Sequence, residues 1–237
     1  MAGVDILYYK SIASTNGEAY LLAMKDCADW TVVVAEEQSA GRGRKGKQWV
    51  SPKGGLWFSI VLRPSVSPGL VSVLQYFASN SARRVLEEYV AVGVKWPNDL
   101  MLGRLKVGGI LVESRFVRNE LSFAVVGIGI NLNIPATSLP TGATSLQVST
   151  GRQFDKEAVL ENILKSLQLA YHDLSKPWAI FDEWWTHCVH RSGQVSIESP
   201  EGSIVGTCIG LDPKGRLRLR SPEGELLVSE GTLRVPE

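Results

Sequence analysis

A short loop that is rich in glycine and in cationic side chains restricts how this chain can fold. Residues 39–49, SAGRGRKGKQW, contain three glycines and four cations. The apolar run 31–35 precedes this loop and the apolar run 56–62 follows it, and both predict buried strands. Pro52 and the pair Gly54-Gly55 would interrupt a helix between them. The loop is therefore predicted to join one strand directly to the next.

The composition of the loop suits an anionic ligand. Glycine lets backbone N–H groups approach a ligand closely, and arginine and lysine add charge-assisted hydrogen bonds. The spacing Gly41-x-Gly43-x-x-Gly46 matches a dinucleotide fingerprint, and Gly46-Lys47 matches part of a P-loop. Both motifs require a helix after the loop, and Gln48 replaces the P-loop hydroxyl. We therefore favour a different phosphate-binding loop, and the alternative is a solvated basic hairpin loop.

Two further segments each place a lysine where it could meet such a ligand. In Lys95-Trp96-Pro97-Asn98-Asp99 a cation and a carboxylate flank a rigid turn, which suits phosphate and a divalent metal respectively. Lys106 begins a strand and precedes Gly108 and Gly109, whose missing side chains leave room for a ligand. Taken singly, an ordinary Asn-Asp turn and a β-bulge with a surface lysine explain these segments equally well.

A strand with glycine at alternate positions is the fourth candidate segment. Gly127 and Gly129 leave one strand face bare, and the strand ends at Asn131 and Asn133. A flat ligand could lie on that face. Close packing of another element against the strand would also require the glycines.

The rest of the chain predicts an α+β fold, a mixed and mostly antiparallel sheet flanked by helices. Apolar runs at 108–112 and 121–131 predict adjacent antiparallel strands. Helical spacing predicts four helices, of which the first begins at Thr15 with that residue as its cap and the third begins after the cap Asp155. These helices are expected near 15–24 and over 69–89, 156–174 and 178–190.

The mixture of helical and strand patterns ends near Arg191, where we place a domain boundary. From there short strands alternate with turns, and Pro and Gly occupy type I turn positions in 199–202, 212–215 and 221–224. This pattern predicts a small SH3-like β-barrel. The expected organisation is a domain of residues 1–190 followed by an SH3-like domain of residues 191–237.

Charge and cysteine content restrict the class of protein. The chain has 25 basic and 24 acidic residues, so no global field favours nucleic acid or a membrane surface. The three cysteines form no C-x-x-C pair, which argues against a disulfide framework and favours a reducing cytoplasm. The amino terminus lacks the basic and apolar regions of a signal peptide. A cytoplasmic protein that binds no membrane is expected.

Together the four segments, in this order, resemble those of the biotin protein ligases. The strings GRGRKGKQW and KWPND carry the resemblance, which extends from Ser14 to the tail. It implies a fold like that of class II aminoacyl-tRNA synthetases, followed by the SH3-like domain. Relatives that repress transcription carry a winged helix before the ligase domain. Because only 13 residues precede Ser14, we expect the monofunctional form, without binding to nucleic acid.

The resemblance also implies roles for individual residues. Arg44 and Lys106 are the expected catalytic residues, and Lys106 would lie against the biotin carboxylate. Biotin contacts are expected at Ser14, Thr15, Asn16, Gln38, Gly41, Arg42, Gly43, Arg44, Lys106 and Gly108. ATP or adenylate contacts are expected at Arg44, Lys47, Trp49, Lys95, Asn98, Asp99 and Asn131, with Mg²⁺ at Asp99.

The implied chemistry is the activation of biotin by ATP as biotinyl-5′-AMP. The biotinyl group would then pass to a lysine on the biotin carboxyl carrier domain of a carboxylase. The resemblance further implies a homodimer, with the loop 39–49 closing as a lid. Two alternatives remain: a ligase for lipoate or octanoate, and a nucleic-acid-binding module that uses the loop and the arginines 216, 218 and 220.

Overall fold

The computed structural model describes residues 3–199 and 202–235 as two sheets with helices packed against the larger one. The strands are β1 (Asp5–Ile12), β2 (Thr31–Gln38), β3 (Leu56–Leu62), β4 (Gly93–Lys95), β5 (Asp99–Leu102), β6 (Leu105–Val117), β7 (Glu120–Ile130), β8 (Gln194–Ser199), β9 (Gly202–Leu211), β10 (Leu217–Ser221), β11 (Gly224–Val228) and β12 (Thr232–Arg234). The helices are α1 (Thr15–Met24), α2 (Val73–Glu87), α3 (Leu146–Thr150), α4 (Lys156–Ala170) and α5 (Pro177–Thr186).

The larger sheet has seven strands in the order β1-β2-β3-β7-β6-β5-β4. Only the pair β1–β2 is parallel, and the other neighbours are antiparallel. The predicted α+β class, with a mixed and mostly antiparallel sheet, is confirmed. Since β2 and β3 pair with each other, the basic loop joins neighbouring strands at one end of the sheet, as predicted.

Helices cover both faces of this sheet. Helix α1 packs on one face, where Ala19 meets Val61 and Val125 in a small apolar cluster. Helix α2 covers the other face, backed by α4 and α5. Alternate residues of β3 point to opposite faces of the sheet. Val61 therefore packs in the small cluster under α1, whereas Ile60 packs in a larger apolar cluster under α2.

The smaller sheet is antiparallel throughout, in the order β11-β10-β9-β8-β12, and fits an SH3-like barrel. Its inward residues Val195, Leu219 and Leu233 belong to the same apolar cluster as α2. The predicted turn 212–215 forms, with Gly215 N–H donating to the carbonyl of Asp212 at 2.9 Å. Pro200 and Glu201 of the predicted turn 199–202 lie outside the described residues.

The start of α1 and the end of α5 differ from the predictions. The cap of α1 is Ser14, whose hydroxyl accepts from Gly17 N–H at 3.3 Å, and Thr15 is the first helical residue. Helix α5 ends at Thr186 rather than near residue 190. The chain leaves the helix because Val94 of β4 exchanges backbone hydrogen bonds with His187 and Val189. The cap Asp155 is confirmed, since it accepts from Glu157 N–H at 2.9 Å.

Across residues 3–199 and 202–235, none of the helices combines the length and apolar character needed to cross a membrane.

Candidate active site

A cavity of about 220 Å³ lies where the basic loop, the start of α1, the turn before β5 and the middle of β6 and β7 meet. It brings together most of the predicted site residues from segments far apart in the sequence. The predicted residues that line it are Ser14, Thr15, Asn16, Gln38, Arg42, Gly43, Arg44, Lys47, Trp49, Lys95, Asn98, Asp99 and Lys106.

One end of the cavity is a network of neutral amides and hydroxyls. Gln38 Oε1 accepts from Thr15 N–H at 2.8 Å and lies 3.1 Å from Thr15 Oγ1. Gln38 Nε2 donates to Ser51 Oγ at 2.8 Å, which fixes the orientation of the Gln38 amide. The buried hydroxyl of Ser59 lies 2.8 Å from Thr15 Oγ1 and 2.6 Å from Asn16 Oδ1. This end can donate to and accept from an uncharged polar group.

The other end of the cavity is cationic. Lys106 Nζ lies 2.5 Å from Asp99 Oδ1. Burial lowers the pKa of Lys95, an effect that the nearby Asp99 opposes and the cations Arg234 and Lys106 reinforce. Burial also lowers the pKa of Arg44, although neighbouring acidic groups oppose this shift. The cations Arg44, Lys95 and Lys106 at this end suit a ligand that carries several negative charges.

The bare face of β7 is occupied by side chains of this chain. A Cβ atom on Gly127 would lie 2.0 Å from Asn16 Oδ1, and one on Gly129 would lie 3.0 Å from Trp49 Nε1. The indole of Trp49 covers this face and faces Lys106 Nζ at 4.8 Å. The glycines therefore make room for Asn16 and Trp49, so the close-packing interpretation holds in this structure.

Three predicted residues lie outside the cavity lining. Gly41 allows a close approach, since a Cβ atom there would lie 2.3 Å from the carbonyl of Trp49. Gly108 also allows a close approach, since a Cβ atom there would lie 2.8 Å from the carbonyl oxygen of Gly129. Asn131 is buried, and its amide donates to Thr144 O at 2.9 Å. In this structure Gly41 and Gly108 allow close packing against lining residues, and Asn131 makes a buried structural hydrogen bond outside the lining.

Comparisons with known proteins decide the family. The sequence profile of the Biotin/lipoate A/B protein ligase family matches residues 8–131. A biotin–[acetyl-CoA-carboxylase] ligase of Paracoccus denitrificans is 32% identical over 232 residues, which cover 91% of this chain and 94% of that protein. The chain belongs to the biotin protein ligase family.

Other members of this family resemble the ligase closely in sequence and structure. The bifunctional ligase/repressor BirA of Bacillus subtilis is 30% identical over 233 residues, which cover 94% of this chain and 71% of that protein. The solved biotin protein ligase from Aquifex aeolicus, in complex with biotin and ATP, superposes with a TM-score of 0.84 at 29% identity. That match covers 98% of this chain and 99% of the solved one.

Several residues at the site of this ligase escaped the sequence analysis. Gly231, Thr232 and Leu233 line the cavity from the smaller sheet, and no local pattern links them to residues near position 44. Glu113 on β6 reaches Asn16 and Arg42. Ser59 did have a signal, because it is the one hydroxyl within the otherwise apolar strand LWFSIVL.

The site offers one carboxylate to a metal ion. Among the described residues, no group of three or more metal-ligating side chains comes together, and Asp99 is the only acidic residue in the cavity lining. Magnesium in nucleotide sites uses one or two carboxylates together with substrate phosphates. The site therefore fits a magnesium ion that arrives with a nucleotide, for which Asp99 would be the protein contact.

Proposed function

We propose that this ligase activates biotin with ATP as biotinyl-5′-AMP and transfers the biotinyl group to a lysine of a biotin carboxyl carrier domain. The observation that carries the proposal is the division of one cavity into a neutral end and a cationic end. The ring of biotin is neutral and polar, whereas its carboxylate and the triphosphate are anionic. The neutral end of the cavity therefore matches the ring of biotin, and the cationic end matches the biotin carboxylate and the phosphates of ATP.

Both proposed steps are displacements that need no protein nucleophile. A biotin carboxylate oxygen attacks the α-phosphorus of ATP, and the bond to the β-phosphate oxygen breaks to release pyrophosphate. The ε-amine of the acceptor lysine then attacks the biotinyl carbonyl carbon, loses a proton and releases AMP. What the protein supplies is proximity and cations near the oxygens where negative charge accumulates.

We assign the catalytic roles to Arg44 and Lys106. Lys106 extends from β6 between the indole of Trp49 and Asp99, a position suited to the carboxylate of biotin and the α-phosphate. Arg44 reaches the same end from the loop. Lys95 and Asp99 would hold the nucleotide, and Mg²⁺ would enter as part of the nucleotide substrate. Closure of loop 39–49 would shield the anhydride from water.

The proposed partner is a carboxylase carrier domain, because the Paracoccus relative is named as an acetyl-CoA-carboxylase ligase. A homodimer through a sheet edge stays a prediction. The edge strand β1 is the candidate in the larger sheet, since the other edge strand, β4, already pairs with residues 187–189. A cytoplasmic location, which the free thiols of Cys27, Cys188 and Cys208 favour, belongs to the same proposal.

The decisive experiment is biotin-dependent exchange of labelled pyrophosphate into ATP, followed by transfer of labelled biotin to a carrier domain. We expect Lys106→Met to reduce exchange by about tenfold to a hundredfold, the effect of one lost charge-assisted contact. Lys165→Met is the matched control, because Lys165 lies on the exposed surface of α4 beside Glu161. Exchange that is independent of biotin, or a Lys106→Met variant as active as the control, would refute the assignment.

The same assay separates the alternative functions. A lipoate or octanoate ligase would exchange pyrophosphate with those acids and not with biotin. A nucleic-acid-binding module would show no exchange. The structure weakens the basis of that second alternative, since Arg216 pairs with Asp212 at 2.6 Å and Arg218 with Glu225 at 2.8 Å.

A further inference from the structure

Glu113, on β6, uses its two carboxylate oxygens for two different elements of the site. Its Oε1 lies 2.7 Å from Arg42 Nη2 of the basic loop. Its Oε2 accepts from Asn16 Nδ2 of α1 at 3.0 Å. One carboxylate on the rigid sheet thus binds a loop residue and a helix residue that both line the cavity.

The contact with Asn16 fixes which way that amide points. A carboxylate only accepts hydrogen bonds, so the NH₂ group of Asn16 must face Glu113. The amide oxygen then faces Ser59, whose hydroxyl lies 2.6 Å away. Asn16 is only 4% exposed, and the absent side chain of Gly127 gives its amide the space it occupies. Glu113, together with the carbonyl of Leu111 that lies 3.4 Å from the same Asn16 nitrogen, therefore sets the donor and acceptor pattern at the neutral end of the cavity.

The contact with Arg42 anchors the basic loop to the sheet. Arg42 also forms an antiparallel β-bridge with Gln48 on the opposite side of the loop, so a restraint on Arg42 acts on both sides of the loop. Side-chain exposure is 51% for Arg42 and 24% for Glu113, so the pair is partly shielded. It lies between the main cavity and a shallow depression beside α1 that Leu21 and Tyr20 help to line.

We infer that Glu113 is a positioning residue that holds the loop over the neutral end of the cavity and orients Asn16 for ligand binding. The inference rests on the proposed function for the identity of the ligand. Glu113 itself reaches the ligand only through its two partners.

The kinetic test compares Glu113→Ala and Glu113→Gln with the control Glu120→Gln. Glu120 is exposed and is the first residue of β7. We expect Glu113→Ala to raise the KM for biotin by about tenfold, with the KM for ATP changed by less than about twofold. Glu113→Gln should fall between the wild type and Glu113→Ala, because a glutamine oxygen still accepts from Asn16 without holding Arg42 as strongly. The control should match the wild type.

A second measurement reads loop anchoring without any ligand. Trypsin cleaves after arginine and lysine, so the rate of cleavage after Arg44, Lys45 or Lys47, the sites that all the variants keep, reports how often the loop detaches. We expect faster cleavage in Glu113→Ala and in Arg42→Ala. The double variant should be cleaved no faster than Arg42→Ala, because both changes break the same contact.

The two measurements separate failure of the inference from failure of the proposed function. If the wild type shows no biotin-dependent exchange, the proposed function fails and the cleavage rates alone decide whether Glu113 anchors the loop. If Glu113→Ala folds with an unchanged Tm and matches the wild type in KM for biotin or in cleavage, the inference is overturned.

Discussion

Individual residues at the site could be predicted where their chemistry is unusual for their surroundings. Cations among glycines mark the loop, and Lys106 stands out at a strand start before two glycines. Glu113 could not be predicted, because a glutamate in a partly exposed strand is also common where its side chain contacts only solvent. Its importance depends on Arg42 and Asn16, which are remote in sequence and meet it only in the folded chain.

A residue-scale prediction concerns His190, beside the cationic end of the cavity. Burial, reinforced by Lys95, lowers the pKa of His190 to about 4. In the unfolded chain the ordinary pKa of about 6.5 applies, so the unfolded state binds more protons between these values. The free energy of unfolding should therefore fall as the pH falls from about 6.5 towards 4.

We expect His190→Gln to reduce this loss, measured as the change in Tm between pH 7 and pH 5. His172→Gln is the control, because the side chain of His172 is exposed. An identical slope in the wild type and in His190→Gln would contradict the prediction.

Secondary-structure elements could be predicted more reliably than their ends. Strand β3 matches the predicted run 56–62, because a short uninterrupted apolar stretch between turn residues is typical of a buried strand. Strand β6 is longer than the predicted run 108–112. Residues 113–117, beyond that run, are partly or fully exposed and are held by pairing with β7 rather than by apolar burial. Periodicity detects burial, so the apolar pattern did not predict these residues as part of the strand.

The glycines of β7 yield a prediction at the scale of the element. Gly127→Ala should displace Asn16, because the new Cβ would lie 2.0 Å from an amide oxygen that is held by Ser59. We expect a rise of at least about tenfold in the KM for biotin and a cost of about 1 to 3 kcal/mol in the free energy of unfolding. Kinetics and chemical denaturation would measure the two effects.

Gly69→Ala is the matched control, since nothing lies within 4 Å of a Cβ at that position. It should leave both quantities close to those of the wild type. A Gly127→Ala variant with normal affinity for biotin would show that Asn16 can move without consequence.

At the scale of the whole molecule, the two sheets share one apolar core, which the sequence could not reveal. The proposed boundary near Arg191 falls between α5 and β8, yet residues on both sides share one apolar cluster. Tyr76 of α2 donates to the carbonyl of Gly215 at 2.6 Å. A change of pattern along the sequence indicates where helices and strands give way to short strands and turns. It carries no information on which surfaces pack against each other.

The ion pair between Lys45 and Glu230 tests whether the smaller sheet helps to hold the basic loop. These groups lie 3.1 Å apart and both are partly exposed, so the pair should contribute less than about 1 kcal/mol. We expect Glu230→Lys to raise the KM for ATP by about twofold to fivefold, and the swap Lys45→Glu with Glu230→Lys to restore it.

Salt supplies the control for this prediction. At about 1 M salt, screening should remove most of the difference between Glu230→Lys and the wild type. A defect in Glu230→Lys that the swap fails to restore, or that persists at high salt, would mean that the pair does not act through charge.

The ring of Trp49 rests on the bare strand beside Gly129 and faces the ammonium of Lys106, so the indole covers part of the cavity floor in this structure. A planar ligand that takes this place must exchange with the indole. The net apolar area removed from water is then only the difference between two aromatic surfaces. Affinity for such a ligand must come mainly from its charged and hydrogen-bonding groups, and departure of the tryptophan couples occupancy to movement of the whole loop.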